Sequence, residues 1–220
     1  DDSTDQTIVI IDTVCARWRA AGVNCERLSR APDRTGYKAG CLLHHTHRIK
    51  GDFVAMFDAD HRCEKQFLRR TVPHFFDDKG LSKDEIGLVQ VPWAYYNTHR
   101  NILTESDCLG LDVSHVIEQT GRGAYLKCFG FNGTGGIWRK DAIQAGGGWS
   151  WDTITEDLDL SYLAHFSGYD FIYLRDIPQQ LEVPTGIRAH VQQKHRWTKG
   201  FFQVARKHLW SYLFDPRASL

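Results

Sequence analysis

Neither sign of charge dominates this sequence: 27 lysines and arginines face 27 aspartates and glutamates in 220 residues. With no net positive field, nucleic acid is excluded as the main partner. No two of the six cysteines (Cys15, Cys25, Cys41, Cys63, Cys108, Cys128) form a Cys-x-x-Cys pair, which argues against a structural zinc site. Four of them sit in apolar or helical surroundings and read as reduced core thiols, as in a cytosol-facing domain. No leader peptide is visible, and apolar clusters such as "IVII" (Ile8 to Ile11) are far too short to cross a bilayer. There is no internal repeat and no low-complexity tract. The only methionine is the internal Met56 and the chain opens on "DDSTD", so the sequence is expected to be a portion of a longer protein.

What is present points to one globular core. The chain is 42% hydrophobic and 12% aromatic, with seven tryptophans, and its length suits a single domain. Ile8, Ile11, Cys15 and Trp18 recur at helical spacing between Thr7 and Ala21, with Ser3, Thr4 or Asp5 as cap candidates. "VNCERL" (Val23 to Leu28) alternates as a short strand does, and a helix is expected from Lys38 to Ile49. "FVAMF" (Phe53 to Phe57) is a continuous apolar run, predicted as a strand buried on both faces. A helix to about Phe76, a strand "IGLVQV" (Ile86 to Val91) and a long helix over Glu105 to Glu118 follow. Irregular glycine-rich sequence then leads to a helix near Thr155 and a last strand, "FIYL" (Phe171 to Leu174). Strands alternating with helices predict an α/β layer structure with a mainly parallel sheet, whose ligands bind beyond the carboxyl ends of the strands.

Several polar clusters carry chemistry. In "FDAD", Asp58 and Asp60 stand at the end of a predicted strand, and two carboxylates so spaced can share a hard divalent cation. Asp60 would serve equally as a helix cap. In "WDTITEDLDL" (Trp151 to Leu160), Thr153 and Glu156 have capping-box spacing, which leaves Asp157 and Asp159 unexplained. A carboxylate there can remove a proton from an attacking hydroxyl, or it can simply favour the helix N-terminus. Lys38 follows the turn of "GYKAG", and the glycines of "FNGTGGIWR" let backbone N–H groups approach a ligand or form a tight turn. His44, His45 and His47 lack a cysteine or acidic partner that would complete a metal site, and read as a solvated face. On a helix, Gln193, Arg196 and Trp197 of "VQQKHRWTKGFF" share a face, where a guanidinium can grip a phosphate and an indole can stack on a flat ligand. Packing on a core would use the same residues.

In this order the motifs resemble the processive glycosyltransferases of family 2, which include cellulose synthases and the cellulose-synthase-like mannan and glucan synthases. The family's first Asp, Asp-x-Asp, Thr-Glu-Asp and Gln-x-x-Arg-Trp read here as "DDSTD", "FDAD", "TED" (Thr155 to Asp157) and "QKHRW" (Gln193 to Trp197), and "GYKAG", "FLRRTVPHF" and "FNGTGGIWR" match as well. The resemblance implies a GT-A, Rossmann-like fold over residues 1–190, then a Gln-x-x-Arg-Trp helix and a membrane-interfacial helix over 191–220. It also implies a first strand and membrane helices that this sequence does not contain. It assigns Asp1 or Asp2, Lys38 and Asp58 to the nucleotide diphosphate and Asp60 with Asp58 to Mg²⁺ or Mn²⁺. Asp157 is the implied base, within the Thr155–Glu156–Asp157 catalytic motif. Gln193 and Arg196 steady the diphosphate, while Trp197, Gly133 and Thr134 lie with the acceptor.

The implied reaction is an inverting transfer of a hexose from GDP-mannose or UDP-glucose to the non-reducing end of a growing β-1,4-linked polysaccharide. The implied location is a membrane, plasma membrane or Golgi, with the catalytic domain facing the cytosol. The basic and aromatic run through Lys199, Phe201, Phe202, Arg206, Lys207, Leu209 and Trp210 reads as the interfacial helix. Two other readings stay open: a non-processive transferase adding one sugar to a lipid, and an inactive nucleotide-sugar-binding homologue.

Overall fold

A computed structural model of the chain describes residues 3–30 and 32–214 and divides into two compact units, Asp1–Ile49 and Lys50–Leu220. In the first unit, helix α1 spans Thr7–Ala20 and α2 spans Tyr37–His45, followed by a 3₁₀ turn over Thr46–Arg48. Ile8, Ile11 and Cys15 form the covered stripe of α1, as their spacing predicts, but Trp18 is exposed. No side chain caps α1; Asp5 accepts the Thr7 N–H at 2.9 Å, and hydrogen bonding from Thr7 holds its carboxyl below the usual range.

The strand expected over 23–28 is absent. Its alternate residues are spent on α1 rather than on a ladder: Cys25 Sγ lies 3.2 Å from Cys15 Sγ, and Arg27 Nε lies 2.9 Å from Asp12 Oδ1. The turn of "GYKAG" is present, with Gly36 at φ 71°. Gly40 has a separate reason, since a Cβ there would stand 2.1 Å from the Thr35 carbonyl oxygen. His44 and His47 are exposed, and the described residues contain no group of three or more His, Cys, Asp or Glu that could hold a metal ion by themselves.

The second unit is built on a four-stranded sheet. Its strands are β1 (Phe53–Met56), β2 (Ile86–Gln90), β4 (Gly136–Arg139) and β5 (Asp170–Tyr173), in the order β1-β4-β2-β5. Two short strands, β3 (Trp93–Tyr95) and β6 (Gln179–Leu181), form a separate parallel pair. β2 pairs parallel with β5, but β4 runs antiparallel to both β1 and β2. The sheet is therefore mixed. The expectation of a mainly parallel sheet missed β4, because its glycine-rich approach reads as irregular. That approach is what turns the chain: Gly133 and Gly135 adopt φ of 80° and 71°, and a Cβ on Gly136 would meet the Phe131 ring at 2.7 Å.

All five residues of β2 are buried, as its continuous apolar run predicts. β1 is one of the two edge strands of this sheet, not a strand covered on both faces, and Met56 is its one buried residue. One core cluster packs Phe67, Phe75, Ile86, Val89, Ile137 and Ile177. Another centres on Trp138, whose ring meets Phe131, Trp149 and Phe171 edge-on.

Around the sheet lie α3 (Phe67–Thr71), α6 (Lys140–Ala145), α7 (Glu156–Phe166) and α8 (Ile187–Leu213). The long helix expected over 105–118 begins at α4 (Ile102–Asp112) on a capping box in which Asn101 and Thr104 exchange hydrogen bonds of 3.0 Å. It then widens into a π-helical stretch, Val113–Gln119, before α5 (Thr120–Tyr125). Among the described residues no helix is long and apolar enough to cross a membrane.

Candidate active site where helices seven and eight meet

The Thr-Glu-Asp segment opens α7, and α8 lies across it. Gly200 makes that approach possible: a Cβ on it would stand 2.3 Å from Thr155 Cγ2 and 2.6 Å from Thr155 Oγ1. Thr155 is the residue before α7, and no side chain caps the helix. The capping box expected from Thr153 and Glu156 is therefore not formed. Thr153 turns its hydroxyl toward the Thr155 carbonyl (3.4 Å), and that carbonyl accepts the Asp159 N–H (3.1 Å). With α8 over it, Thr155 Oγ1 is buried with no hydrogen-bond partner.

The two unexplained carboxylates have separate fates. Asp159 is 1% exposed and is gripped from α8 by Lys207 Nζ (2.9 Å) and His208 Nε2. Lys207 also binds Asp152 at 2.8 Å. Burial pulls the Lys207 pKa down, but its hydrogen bonds to Asp152 and Asp159 outweigh this and raise it. The Lys207 hydrogen bond in turn holds the Asp152 carboxyl below its usual range. Asp159 and Lys207 thus fasten α8 to α7, so Lys207 is not part of a free basic surface. Asp157 is half-buried, accepts the Leu158 N–H on Oδ1 (2.8 Å) and lines a cavity.

That cavity has a volume of about 720 Å³, the size of a small-molecule site. One wall is a single face of α8 (Lys194, Trp197, Phe201, Val204, Ala205 and His208), and the other comes from α4, the π-helical stretch and α5. Thr155 and Asp157 lie in its lining with Trp197. Lys194 Nζ sits 4.6 Å from the centre of the Trp197 ring while binding buried Asp107 at 2.7 Å, which holds the indole in place.

Sequence reasoning did not find the polar residues of the second wall, including His115, Gln119 and Asn132, nor Trp93. His115 was hidden in a helix that reads as ordinary, Gln119 stood just past its expected end, and Asn132 was hidden inside "FNGTGG". His115 is 3% exposed, and burial pushes its pKa down to about 4.

Trp93 connects this cavity to the Asp-x-Asp motif. Its Nε1 lies 3.5 Å from the Thr134 carbonyl oxygen, and the Thr134 hydroxyl accepts the Asp58 N–H at 2.9 Å and meets His61 Nδ1 at 3.0 Å. Asp58 is half-buried and Asp60 exposed. Thr134 and Gly133 are buried behind this turn and are absent from the cavity lining; their neighbour Asn132 lines it instead. Burial pushes the His61 pKa down.

Of the Gln-x-x-Arg-Trp residues, Trp197 alone lines the cavity. Arg196 is exposed, and Gln193 Oε1 is buried with no hydrogen-bond partner. Glu156 is half-buried as the first residue of α7. In the first unit, Lys38 is exposed in the first turn of α2, while Asp1 and Asp2 lie outside the described residues.

The donor set at Asp58 and Asp60 is two hard oxygen ligands at a strand end. It suits Mg²⁺ or Mn²⁺ when a bound diphosphate completes the coordination, and no third His, Cys, Asp or Glu among the described residues stands close enough to close the site without one.

Residues 53–219 match the family described as glycosyl transferase family group 2. The whole chain aligns at 36% identity with the "Probable glucomannan 4-beta-mannosyltransferase 2" and its relative number 11, both of Oryza sativa subsp. japonica, and spans 38% of the length of each. Among solved structures it superposes on "Mannosyltransferase PcManGT from Pyrobaculum calidifontis in complex with GDP-Man and Mn2+" with a TM-score of 0.64 at 20% identity, over 94% of this chain and 52% of that one. It superposes on S. aureus TarS with a TM-score of 0.58 at 16% identity, over 98% of this chain and 33% of that one. The mixed α/β sheet with its flanking helices is the GT-A fold of these proteins, and the chain belongs to glycosyl transferase family group 2.

Proposed function

We propose that the chain carries the catalytic core of an inverting glycosyltransferase. It moves a hexose from a nucleotide-diphosphate sugar to the non-reducing end of a β-1,4-linked glycan. The observation that carries this reading is that Asp157 and Trp197, which come from different motifs, line one sugar-sized cavity. The names of the rice relatives and the GDP-Man in the Pyrobaculum structure favour mannose, and GDP-mannose over UDP-glucose.

In this reading the acceptor sugar stacks on Trp197 and presents one hydroxyl to Asp157. Asp157 takes the hydroxyl proton as the oxygen bonds to the anomeric carbon, and the nucleoside diphosphate leaves from the opposite face. Asp58 and Asp60 would hold a divalent cation, which would supply positive charge beside the leaving diphosphate. Thr134 fixes the Asp58 backbone through its 2.9 Å hydrogen bond. Lys38, Asp1, Asp2, Gln193 and Arg196 belong to the donor side by their motif positions.

We assign the protein to a membrane surface with this domain in the cytosol. The support is a set of large apolar side chains exposed on or just after α8: Phe202, Trp210 and Phe214.

The test is synthesis by membranes carrying the full-length protein, given labelled GDP-mannose or UDP-glucose with Mg²⁺ or Mn²⁺. Insoluble β-1,4-linked product from GDP-mannose is expected. Asp157→Asn lowers the rate by about 10²–10⁴-fold, the usual contribution of a general base, and leaves nucleotide binding in place. Full activity in that variant removes the base assignment, and a product carrying one added sugar removes polymer synthesis.

A further inference from the structure

The two walls of the cavity differ in kind. The α8 wall is aromatic and aliphatic between Lys194 and His208, which are held by Asp107 and Asp159, whereas the facing wall offers His115, Gln119 and Asn132. An apolar face opposite a row of amide and imidazole groups suits a ligand with a flat C–H side and a rim of hydroxyls. These polar groups are held before any ligand arrives. The Asn132 N–H donates to Gln90 Oε1 at 3.1 Å, and Gln119 Nε2 donates to Asn132 Oδ1 at 3.3 Å and to the Gly130 carbonyl at 3.4 Å.

Asn132 Nδ2, which only donates, lies 3.4 Å from His115 Nδ1, and the Tyr173 hydroxyl lies 3.1 Å from the same nitrogen. His115 Nδ1 is therefore the acceptor, and the proton of the neutral ring sits on Nε2. Within this network Gln119 Oε1 is buried yet accepts no hydrogen bond from any described residue. Native interiors rarely leave such an acceptor unmet. All three side chains come from the π-helical stretch or its contact with the β4 approach, and π-helical turns recur at functional sites.

We propose that Gln119, Asn132 and His115 form a hydroxyl-recognition subsite for the sugar at the end of the acceptor chain. A sugar hydroxyl donates to Gln119 Oε1, and the ring N–H of His115 donates to a second sugar oxygen. These are positioning and specificity residues. Asp157 does the chemistry, and the subsite sets which hydroxyl reaches it. The proposal rests on the glycosyltransferase reading for the identity of the ligand.

The test measures binding of fluorescently labelled β-1,4-mannotetraose to the solubilised full-length protein, with GDP binding measured in parallel as a readout of the fold. Gln119→Ala and Asn132→Ala should each weaken oligosaccharide binding by about tenfold, as the loss of a buried hydrogen bond implies. In membranes the Ala variants should raise the acceptor KM, while the KM for the nucleotide sugar holds.

Oligosaccharide binding that stays within about twofold of wild type in Gln119→Ala, with GDP still bound, overturns the subsite. Wild-type protein that binds no β-1,4-linked oligosaccharide also overturns it. Where Asn132→Ala loses GDP binding as well, half-buried Gln119 carries the test alone. Wild-type protein that binds the oligosaccharide through Gln119 but transfers no sugar sinks the enzyme reading and leaves the subsite standing.

Discussion

Helix α8 is fastened at two places by the same device, and the two differ in depth. Toward its C-terminus, Lys207 and His208 close on Asp159 of α7; toward its N-terminus, His190 and Lys194 close on Asp107 of α4. Both aspartates are buried, but their partners are not equally so. The two lysines are alike, Lys207 32% and Lys194 35% exposed, but the His208 side chain is 9% exposed against 20% for His190. A carboxylate whose imidazole partner is also shut off from water is costly to break from one side, while a pair with a wetter partner can rearrange. The inner fastening therefore fixes the helix, and the outer one tunes it by holding Lys194 over the Trp197 ring. The cavity lies between them.

Removing the inner carboxylate should show the largest effect. Asp159→Ala leaves His208 buried without its partner and is expected to cost about 3 kcal/mol in chemical unfolding. A loss under about 1 kcal/mol would erase the distinction between the two fastenings. Next comes Gly200→Ala, which drives a methyl group into Thr155 and should cost about 2–3 kcal/mol. Pairing it with Thr155→Ser tests the contact, since the double variant should recover part of that loss.

The cavity between the fastenings has its own pH signature. The His115 pKa is near 4 in the fold against 6.5 ordinarily. Between those values the unfolded chain binds a proton that the folded chain refuses, so stability is complete above pH 6.5 and falls as pH drops. The loss between pH 6.5 and pH 5 is about 2 kcal/mol, and urea midpoints for His115→Gln should lack that slope. The smallest effect belongs to Asp107→Ala. It should cost about 1 kcal/mol of stability yet weaken oligosaccharide binding, because Lys194 no longer holds the indole. Binding unchanged in that variant would reduce the outer fastening to a surface contact.

These contrasts also mark how far the sequence can be read. A continuous apolar run placed β2 correctly, because a buried strand has to be apolar along its whole length; the run over 171–174 marked β5 too, although that edge strand begins on Asp170 and buries only Phe171. Asp157 and Trp197 were legible as a pair through their motifs. The strand over 23–28 was not, because alternation records only that one face is covered, and here α1 covers it instead of a sheet. The central strand β4 was masked by the glycines that let it turn back between β1 and β2. The capping box at Thr153 failed for a reason no local pattern holds, namely the arrival of α8 from some forty-five positions away in the chain. The wall of amide and imidazole groups escaped notice because π-helical widening leaves no periodic mark in the letters themselves.

The contact between Gly200 and Thr155 has a consequence beyond this one chain. With Cγ2 only 2.3 Å from where a Cβ would stand, the two positions are not free to drift independently. Across descendants of a common ancestor, a larger residue at the position of Gly200 should travel with a smaller one at the position of Thr155. The historical record of substitutions should show this coupling between a helix far along the chain and the threonine that opens the acidic motif.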